Sequence, residues 1–428
     1  MTPRFLLAVF ILATVAREAL ETWLAALNRH YYRDPERQRE AARVLGVTGE
    51  DMARSLAYAE DRFRFARTSA WLRLTVSTAF LAAGGFGWIE GAARSAAARL
   101  GLGDIAIGLV FFAALGLLGE LLALPLDAYE TFRVEARHGF NRQTPRGFVI
   151  DRLKGLALGA GLGGVVLGGI LYFMTHSGER WWLYAWLAVS GFSILTLWLY
   201  PRVLAPLFNR FTPLPDGDLK EGIRALAVRI GFRAGGVFVM DASRRTSHGN
   251  AYFTGVFREK RIVLFDTLLE ALQTRHVLAV LAHELGHFKL AHVRWHLVRG
   301  VALTGLTFYA LSLCQGLTVF YRAFALDGPS AYGTLLVFGS WFGLFDFVLQ
   351  PLANAVSRRQ EFAADTFAVT HHGNARDLAE ALLKLREKSH AMPVVHPLFS
   401  WMYHSHPPML ERLRALGYSE ETAATTTA

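Results

Sequence analysis

Long runs of apolar residues, separated by polar and charged segments, form the dominant pattern of this chain. Several runs are long enough, or nearly so, for a helix to cross a bilayer, which takes about 20 residues. These seven runs lie at 4–27, 68–92, 104–127, 154–175, 181–200, 298–320 and 332–354. The pattern therefore predicts a mainly α-helical membrane protein with seven transmembrane helices.

Charged residues interrupt two of these runs, with Arg17, Glu18 and Glu21 in the first and Glu120 and Asp127 in the third. The short apolar start of the first run resembles a cleaved signal peptide. The apolar pattern resumes beyond the charges, however, which favours an uncleaved helix with one polar face. Charge inside a bilayer is costly, so we expect these side chains to face an aqueous cavity or one another.

Seven spans assign the connecting segments to two sides of the membrane. The longer segments, at 28–67, 128–153, 201–297 and 355–428, share one side and carry most of the lysines and arginines. The positive-inside rule places that side in the cytoplasm. The predicted organisation is five membrane helices with their loops at 1–200, a cytoplasmic α/β segment at 201–297, two membrane helices at 298–354, and a cytoplasmic C-terminal segment at 355–428 with a disordered tail.

The segment 201–297 differs from the rest because short β-type patterns occur in it. Its elements, in order, are a helix at 219–231, a strand at 236–240 and a hairpin of strands at 251–257 and 261–265. One long helix follows, and either Asp266 or Thr267 can cap its start. The pattern predicts a small α/β unit.

The composition agrees with a membrane protein, because 53% of the 428 residues are apolar and the mean hydropathy is positive. The net charge of +10 could indicate nucleic-acid binding in a soluble protein. Here the positive residues flank apolar runs, so no nucleic-acid partner is expected. The single cysteine, Cys314, excludes an intrachain disulfide and a cysteine-based metal site.

The motif His283-Glu284-Leu285-Gly286-His287 carries the clearest chemistry. Residues four apart share a helix face, so both imidazoles can reach one metal ion, and HExxH is a known metalloprotease signature. Glu284 then lies beside the metal as an acid and base. The alternative is a helix with two incidental surface histidines. The apolar run 277–282 before the motif argues for burial and against that alternative.

A catalytic zinc needs a third protein ligand, and Glu361 in the segment 357–365 is the best candidate. Asp365 lies one turn further on the same face, where it could bond the free nitrogen of a liganding histidine. Spacing alone favours a solvated helix face in which these carboxylates pair with Arg358 and Arg359.

Six separated segments together resemble the Ste24-type CAAX prenyl proteases, which are integral-membrane members of the M48 metallopeptidase family. The segments are HGFNRQT (138–144), PLFNRFTPLPDGDLK (206–220), SHGNAYFTG (247–255), LAHELGHFKLAH (281–292), SRRQEFAAD (357–365) and HSHPPMLERLRAL (404–416). Six segments in one order are far more specific than the zinc motif alone.

The resemblance implies seven helices around a large water-filled chamber, with a zinc site at its cytoplasmic end. It implies one Zn²⁺ per chain, bound by His283, His287 and Glu361. Glu284 would be the general base and acid, and Asp365 would orient a liganding histidine.

The resemblance also implies substrate contacts. His406 and Arg412 would lie near the zinc and stabilise the oxyanion or hold the substrate. Asn250, Ala251 and Tyr252 would lie on an edge strand that pairs with an extended peptide. From the residues alone, a turn asparagine that caps a hairpin is the favoured interpretation of Asn250. Glu411 and Arg412 likewise resemble an ordinary charged helix start.

The expected function is a zinc metalloendopeptidase in a lipid bilayer, acting on a peptide or protein substrate. The resemblance implies a substrate that is prenylated at its C-terminus, and the residues themselves do not choose the substrate. The alternatives are a quality-control protease without prenyl specificity, a site-2-type intramembrane protease, and a non-enzymatic transporter with a structural metal. The Arg- and Ala-rich composition favours a bacterial inner membrane over an endoplasmic reticulum membrane, with the active site facing the cytoplasm.

Overall fold

Long helices dominate the chain in a computed structural model that describes residues 2–232, 235–244, 250–254 and 261–418. The helices of the first half are α1 (Pro3–Tyr32), α2 (Pro35–Leu45), α3 (Gly49–Ala82), α4 (Gly85–Leu100), α5 (Asp104–Tyr129), α6 (Pro145–Leu158), α7 (Gly164–His176) and α8 (Trp181–Leu199). Three π-helical turns extend or join these helices, at Glu130–Glu135, Gly159–Gly163 and Tyr200–Leu204.

Several of the helical stretches are long and apolar enough to cross a membrane. Among the described residues these five are Asp104–Glu135, Pro145–His176, Gly178–Leu207, His292–Leu313 and Ala331–His372, and the bent pair α3 and α4 can form a sixth. The prediction of a multi-pass helical membrane protein is therefore confirmed. Helix α1 is one continuous helix, but it carries charged residues and is not among these stretches. The count of seven therefore stays a prediction.

The prediction of one continuous helix over 68–92 is wrong, because α3 and α4 meet at an angle of 62°. Gly84 lies between them with a φ of 76°, a left-handed conformation that favours glycine. A Cβ on Gly87 would lie 2.4 Å from the carbonyl oxygen of Ala325, so α4 packs directly against that segment. The bend depends on the conformation of Gly84 and on packing against a distant segment. Neither changes the apolar pattern of the run, so that pattern did not reveal the bend.

The charged residues inside the helices pair with one another. Glu18 on α1 lies 3.2 Å from Arg67 on α3. Arg152 on α6 contacts both Glu120, at 3.1 Å, and Asp127 on α5. These residues are therefore paired, which was the less favoured of the two arrangements expected for them, and the aqueous chamber stays a prediction.

A small α/β unit follows the first eight helices, and its sheet has the order β1-β2-β4-β3 in the described residues. Its elements are β1 (Phe211–Pro213), α9 (Asp218–Ile230), β2 (Gly236–Met240), β3 (Ala251–Thr254), β4 (Arg261–Phe265), α10 (Asp266–Ala271) and α11 (Thr274–Lys289). Strands β2 and β4 are parallel, and the other two pairs are antiparallel. This arrangement places β3 at one edge of the sheet.

The predicted helix, strand and hairpin of this unit are confirmed, except that 255–257 lie outside the described residues. The short strand β1 was not predicted. The prediction of a single long helix from Asp266 is wrong. Leu272 and Gln273 adopt extended conformations and separate α10 from α11. The side chain of Leu272 is buried in the core. This tertiary contact accounts for the break, which local periodicity cannot show.

The last part of the chain is helical again, with α12 (His292–Leu313), α13 (Thr318–Ala323), α14 (Ala331–His372), α15 (Ala375–Ser389), α16 (Pro397–Tyr403) and α17 (Met409–Ala415). The predicted span 298–320 extends too far, because α12 ends at Leu313. Helix α14 begins after the capping residue Ser330 and runs for 42 residues to His372, with Gly373 as its C-terminal cap. It therefore carries the predicted span 332–354 and the segment 357–365 on one continuous helix.

Candidate metal centre

Helix α11 carries the HELGH motif in the core of the α/β unit. Its apolar residues pack between the sheet, α9 and α15, and the buried ones include Val277, Ala279, Leu281 and Leu285. His283 itself is buried. The motif is therefore part of the core, which excludes the alternative of two incidental surface histidines.

Three side chains from α11 and α14 point toward one position. The Nε2 atoms of His283 and His287 lie 3.2 Å apart. The Oε2 atom of Glu361 lies 3.4 Å from Nε2 of His283, and its Oε1 atom lies 3.3 Å from Nε2 of His287. Tetrahedral ligands at 2.0–2.1 Å from zinc would be separated by about 3.3 Å. The three donor atoms therefore have the spacing of zinc ligands.

The hydrogen bonding of Glu361 supports a metal at this position. Its Oε2 atom is buried and has no hydrogen-bond partner among the described residues. A buried carboxylate oxygen without a partner is costly, and a bound cation would remove that cost. The residues present thus fit a metal ion.

Gly286 allows α11 and α14 to come close enough to form this site. A Cβ at Gly286 would lie 3.2 Å from the Cα of Ala364 and 3.2 Å from the Cβ of Phe367. Both neighbours belong to α14, so a side chain here would push the two helices apart. This role of Gly286 was not predicted, although a glycine inside a helical motif is a usable signal.

His283 is oriented by a chain of two contacts. Its Nδ1 atom lies 2.8 Å from Oδ1 of Asp365. Asp365 in turn accepts hydrogen bonds from Nε of Arg412 at 2.9 Å and from Nη2 at 2.6 Å. At this distance the Asp365 carboxylate can accept the Nδ1 proton of His283, which would leave the lone pair on Nε2 free, as a metal ligand requires.

His287 has its own orienting partner, which is His292 at the start of α12. The two Nδ1 atoms lie 3.0 Å apart. The chain turns sharply between α11 and α12 because Ala291 adopts a φ of 59°. When Nε2 of His287 binds a metal, its Nδ1–H donates to His292.

We expect His292→Ala to weaken zinc binding by about 10- to 100-fold, because loss of an orienting partner typically has an effect of this size. The measurement is competitive titration of the purified protein with a zinc chelator. His296→Ala is the matched control, since His296 lies on the same helix and bonds Gln360 instead of a zinc ligand. Equal zinc affinity of the His292→Ala variant and the wild type would contradict the assignment.

Glu284 follows His283 directly and is half-buried. Burial raises the pKa of Glu284 above its ordinary value. A carboxylate with a raised pKa is a stronger base, which suits a group that takes a proton from water.

His406 and Arg412, the residues predicted to contact the substrate near the zinc, lie on different sides of the predicted metal ligands. The Nε2 atom of His406 lies 3.4 Å from Oε1 of Glu361, and its side chain is 65% exposed. Arg412 is buried and reaches the centre through Asp365, a contact that was not predicted. His406 thus lies on the open side of the centre and Arg412 behind it.

The residues 250–252 lie at the sheet edge beside α11. The carbonyl oxygen of Asn250 accepts a hydrogen bond from the Phe265 amide at 3.0 Å. Ala251 is buried in the same core as α11. Tyr252 packs against Phe265 and places its hydroxyl 4.0 Å from the sulfur of Met240. The Tyr252 side chain therefore belongs to the packing of the sheet.

A second group of possible metal ligands contains His276, Asp377 and Glu380. Arg275 lies 3.2 Å from Asp377 and 2.8 Å from Glu380. Arg376 lies 2.8 Å from Glu380. Because arginines already neutralise both carboxylates, this group is an ion-pair network that joins α11 to α15.

A helical membrane protein with two histidines and a glutamate around one point, and a glutamate base beside them, defines a membrane metallopeptidase of the zinc type. Comparison with known families agrees. The model for "CAAX prenyl protease N-terminal, five membrane helices" matches residues 31–210, and the model for peptidase family M48 matches residues 213–420.

Individual relatives match over most of the chain. The "CAAX prenyl protease 1 homolog" of Arabidopsis thaliana is 37% identical over 374 residues, covering 86% of this chain and 88% of the relative. Its Homo sapiens counterpart is 34% identical over 439 residues and covers 92% of each chain. The crystal structure of S. mikatae Ste24p matches with a TM-score of 0.89 and 29% identity, covering 96% of this chain and 99% of that one.

The chain belongs to peptidase family M48, and to its integral-membrane branch of CAAX prenyl protease homologues. It is an integral-membrane zinc metalloprotease. The alternative of a non-enzymatic transporter is not supported by these comparisons.

Proposed function

We propose that the chain is an endopeptidase that cleaves proteins carrying a prenylated C-terminal CAAX segment. It would use one zinc ion bound by His283, His287 and Glu361. The short separations between the donor atoms of these three side chains, 3.2 to 3.4 Å between the two Nε2 atoms and the two oxygens of Glu361, carry the proposal of the metal site. The substrate class is proposed from the relatives, which are named CAAX prenyl proteases.

The chemistry divides between the ion and the chain. A bound zinc ion supplies a Lewis acid that polarises the scissile carbonyl and makes its water more acidic. Glu284 is placed to take the proton of the attacking water and to pass it to the leaving amine. Asp365 and His292 keep both imidazoles in the required tautomer.

The geometry supports different roles for His406 and Arg412. His406 is largely exposed beside Glu361, so its ring can donate to the oxygen of a bound substrate carbonyl. Arg412 already donates two hydrogen bonds to Asp365. We therefore propose His406 as the oxyanion donor and Arg412 as a positioning residue that acts through Asp365 and His283.

The substrate backbone is proposed to pair with the edge strand β3 near Asn250, Ala251 and Tyr252. Two observations support this: among the described residues β3 pairs with β4 alone, and β3 lies beside α11. An extended peptide can add to such an edge through main-chain hydrogen bonds, which give affinity without strong sequence preference.

The arrangement in the membrane remains part of the proposal. We propose seven helices around an aqueous chamber, with the membrane and active-site segments divided at 1–200, 201–297, 298–354 and 355–428. We also propose that the active site faces the cytoplasm, in a bacterial inner membrane or an endoplasmic reticulum membrane, and the positive-inside rule supports this orientation.

The function is tested with purified protein in lipid nanodiscs, a prenylated CAAX peptide and the same peptide without the prenyl group. We expect cleavage of the prenylated peptide only, loss of cleavage with a zinc chelator, and recovery when zinc is returned. Elemental analysis should give one zinc per chain. Equal cleavage of both peptides would support the quality-control alternative, and the absence of chelator-sensitive cleavage would overturn the proposed function.

A further inference from the structure

A cavity of about 500 Å³ lies outside the metal centre, between the start of α6 and the segment that leads into β1. Its walls come from three separate stretches of chain. The lining residues that the argument uses are Arg142, Ile150, Lys154, Leu207, Arg210 and Arg244.

Positive charge dominates this cavity. Arg142, Lys154, Arg210 and Arg244 line it, whereas Asp151 is the one acidic residue among the lining residues. Within the described residues, no hydrogen bond or ion pair engages the guanidinium group of Arg142 or Arg210, although the backbone amide of Arg210 donates to Asp241 at 2.7 Å. The Asp151 carboxylate accepts a hydrogen bond from Gln143 at 2.9 Å, so part of its charge is directed at a neighbour.

The other two cations are held in place by neighbours. The Lys154 ammonium donates to the carbonyl oxygen of Leu207 at 2.8 Å, which joins α6 to the segment before β1. Arg244 lies 3.1 Å from Asp241, beyond the end of β2. The cavity therefore combines two anchored cations with two unpaired guanidinium groups, and its net charge is positive.

The cavity lies where a span leaves the membrane. Thr144 caps α6, and the apolar stretch Pro145–His176 that begins there is long enough to cross a bilayer. The opposite wall follows the stretch Gly178–Leu207, another candidate span. Both walls therefore lie at the ends of candidate spans that adjoin the sheet, where lipid headgroups are expected.

An apolar strip leads from the cavity toward the membrane. Ile150 on α6 and Leu207 line the cavity and are 41% and 46% exposed. One helical turn deeper along the same two spans, Leu153 is 60% exposed and Val203 is 47% exposed. A basic cavity that continues into an outward-facing apolar strip is complementary to an amphiphile with an anionic head.

We propose that this cavity binds the phosphate headgroup of an anionic phospholipid, with its acyl chains along Leu153 and Val203. Guanidinium groups recognise phosphate oxygens with two parallel hydrogen bonds, which suits Arg142 and Arg210. Basic pockets between membrane helices bind anionic headgroups in this way. The apolar strip favours a lipid over a free phosphate ion, because a free ion would gain nothing from it.

The test measures binding of phosphatidylglycerol to the full-length protein by native mass spectrometry and by the lipid-dependent shift of the melting temperature. Arg142→Gln/Arg210→Gln should weaken phosphatidylglycerol binding by about tenfold or more, because two cations near an anionic headgroup are lost. Arg146→Gln/Arg224→Gln is the matched control, since both arginines are exposed and neither lines the cavity. Phosphatidylcholine and inorganic phosphate serve as the other two probes.

Loss of phosphatidylglycerol binding in the first variant, with wild-type binding in the control, would support the proposal. Equal binding in both variants would overturn it, as would an equal stabilisation by inorganic phosphate or by phosphatidylcholine. Should the double variant fold poorly, Arg210→Gln alone gives the same comparison, because Arg210 lies on an exposed segment outside a helix or strand. The readout is lipid binding, so it is independent of the proposed peptide cleavage.

Discussion

Glu284→Gln should abolish peptide cleavage while the protein keeps its fold and its zinc. The amide has nearly the same shape as the carboxylate, but it cannot accept a proton from the attacking water. Loss of a general acid–base group typically lowers a rate by about 10² to 10⁴-fold. Because Glu284 is not one of the three residues around the metal position, zinc content should stay at the wild-type level.

The measurement pairs initial rates on the cleavable peptide with elemental analysis of the same preparation. Glu270→Gln on α10 is the matched control, since that glutamate is exposed and outside the metal centre. A Glu284→Gln protein that cleaves at the wild-type rate would show that another group accepts the proton. A protein that loses its zinc would instead show that Glu284 contributes to metal binding.

Arg412→Ala should have the second large effect, on stability and on zinc affinity together. Arg412 and Asp365 are both buried, and two hydrogen bonds of 2.9 and 2.6 Å join them. Removing one partner of a buried ion pair leaves an uncompensated charge and costs about 3–5 kcal/mol. Asp365 would then no longer hold His283 in place, so zinc should bind more weakly.

Thermal unfolding in nanodiscs and chelator competition measure these two effects. Arg412→Lys should restore little of the stability or of the zinc affinity, because one ammonium group cannot reproduce the pair of guanidinium hydrogen bonds. Arg414→Ala is the control, since Arg414 is exposed and lies 3.5 Å from an exposed Glu40.

A double-mutant cycle separates structural and positioning roles. In Arg412→Ala/Asp365→Ala no buried charge lacks a partner, so much of the stability should return. Zinc affinity should stay low, because His283 still lacks its orienting carboxylate. Recovery of zinc affinity in the double variant would mean that Arg412 acts on stability alone.

The sequence predicted the α/β unit better than it predicted the membrane helices. Strands β2 and β4 follow from short apolar runs between polar segments, and helix α9 from helical periodicity, because all three pack in local cores. In the membrane, lipid and protein interior are both apolar, so hydropathy finds a span but not its bends. The break at Gly84 therefore escaped a prediction that located the run itself.

The candidate metal site was likewise predictable from the sequence only in part. HELGH predicted two ligands and a base because residues four apart on one helix always share a face. Glu361 is 74 residues beyond His287, and spacing alone favoured a solvated face for it. The residues made Glu361 the best candidate for a third ligand, and the resemblance to a family then favoured that role over the solvated face before its position was known.

The sequence by itself determined that this is a multi-pass membrane protein with a metal-binding helix, because span length and helical periodicity are local properties. The tertiary structure decided how α14 approaches α11 at Gly286 and which side chains orient the two histidines. It also decided that Arg412 contacts Asp365, on a different helix. Such contacts depend on packing between distant segments, and no local pattern along the chain encodes them.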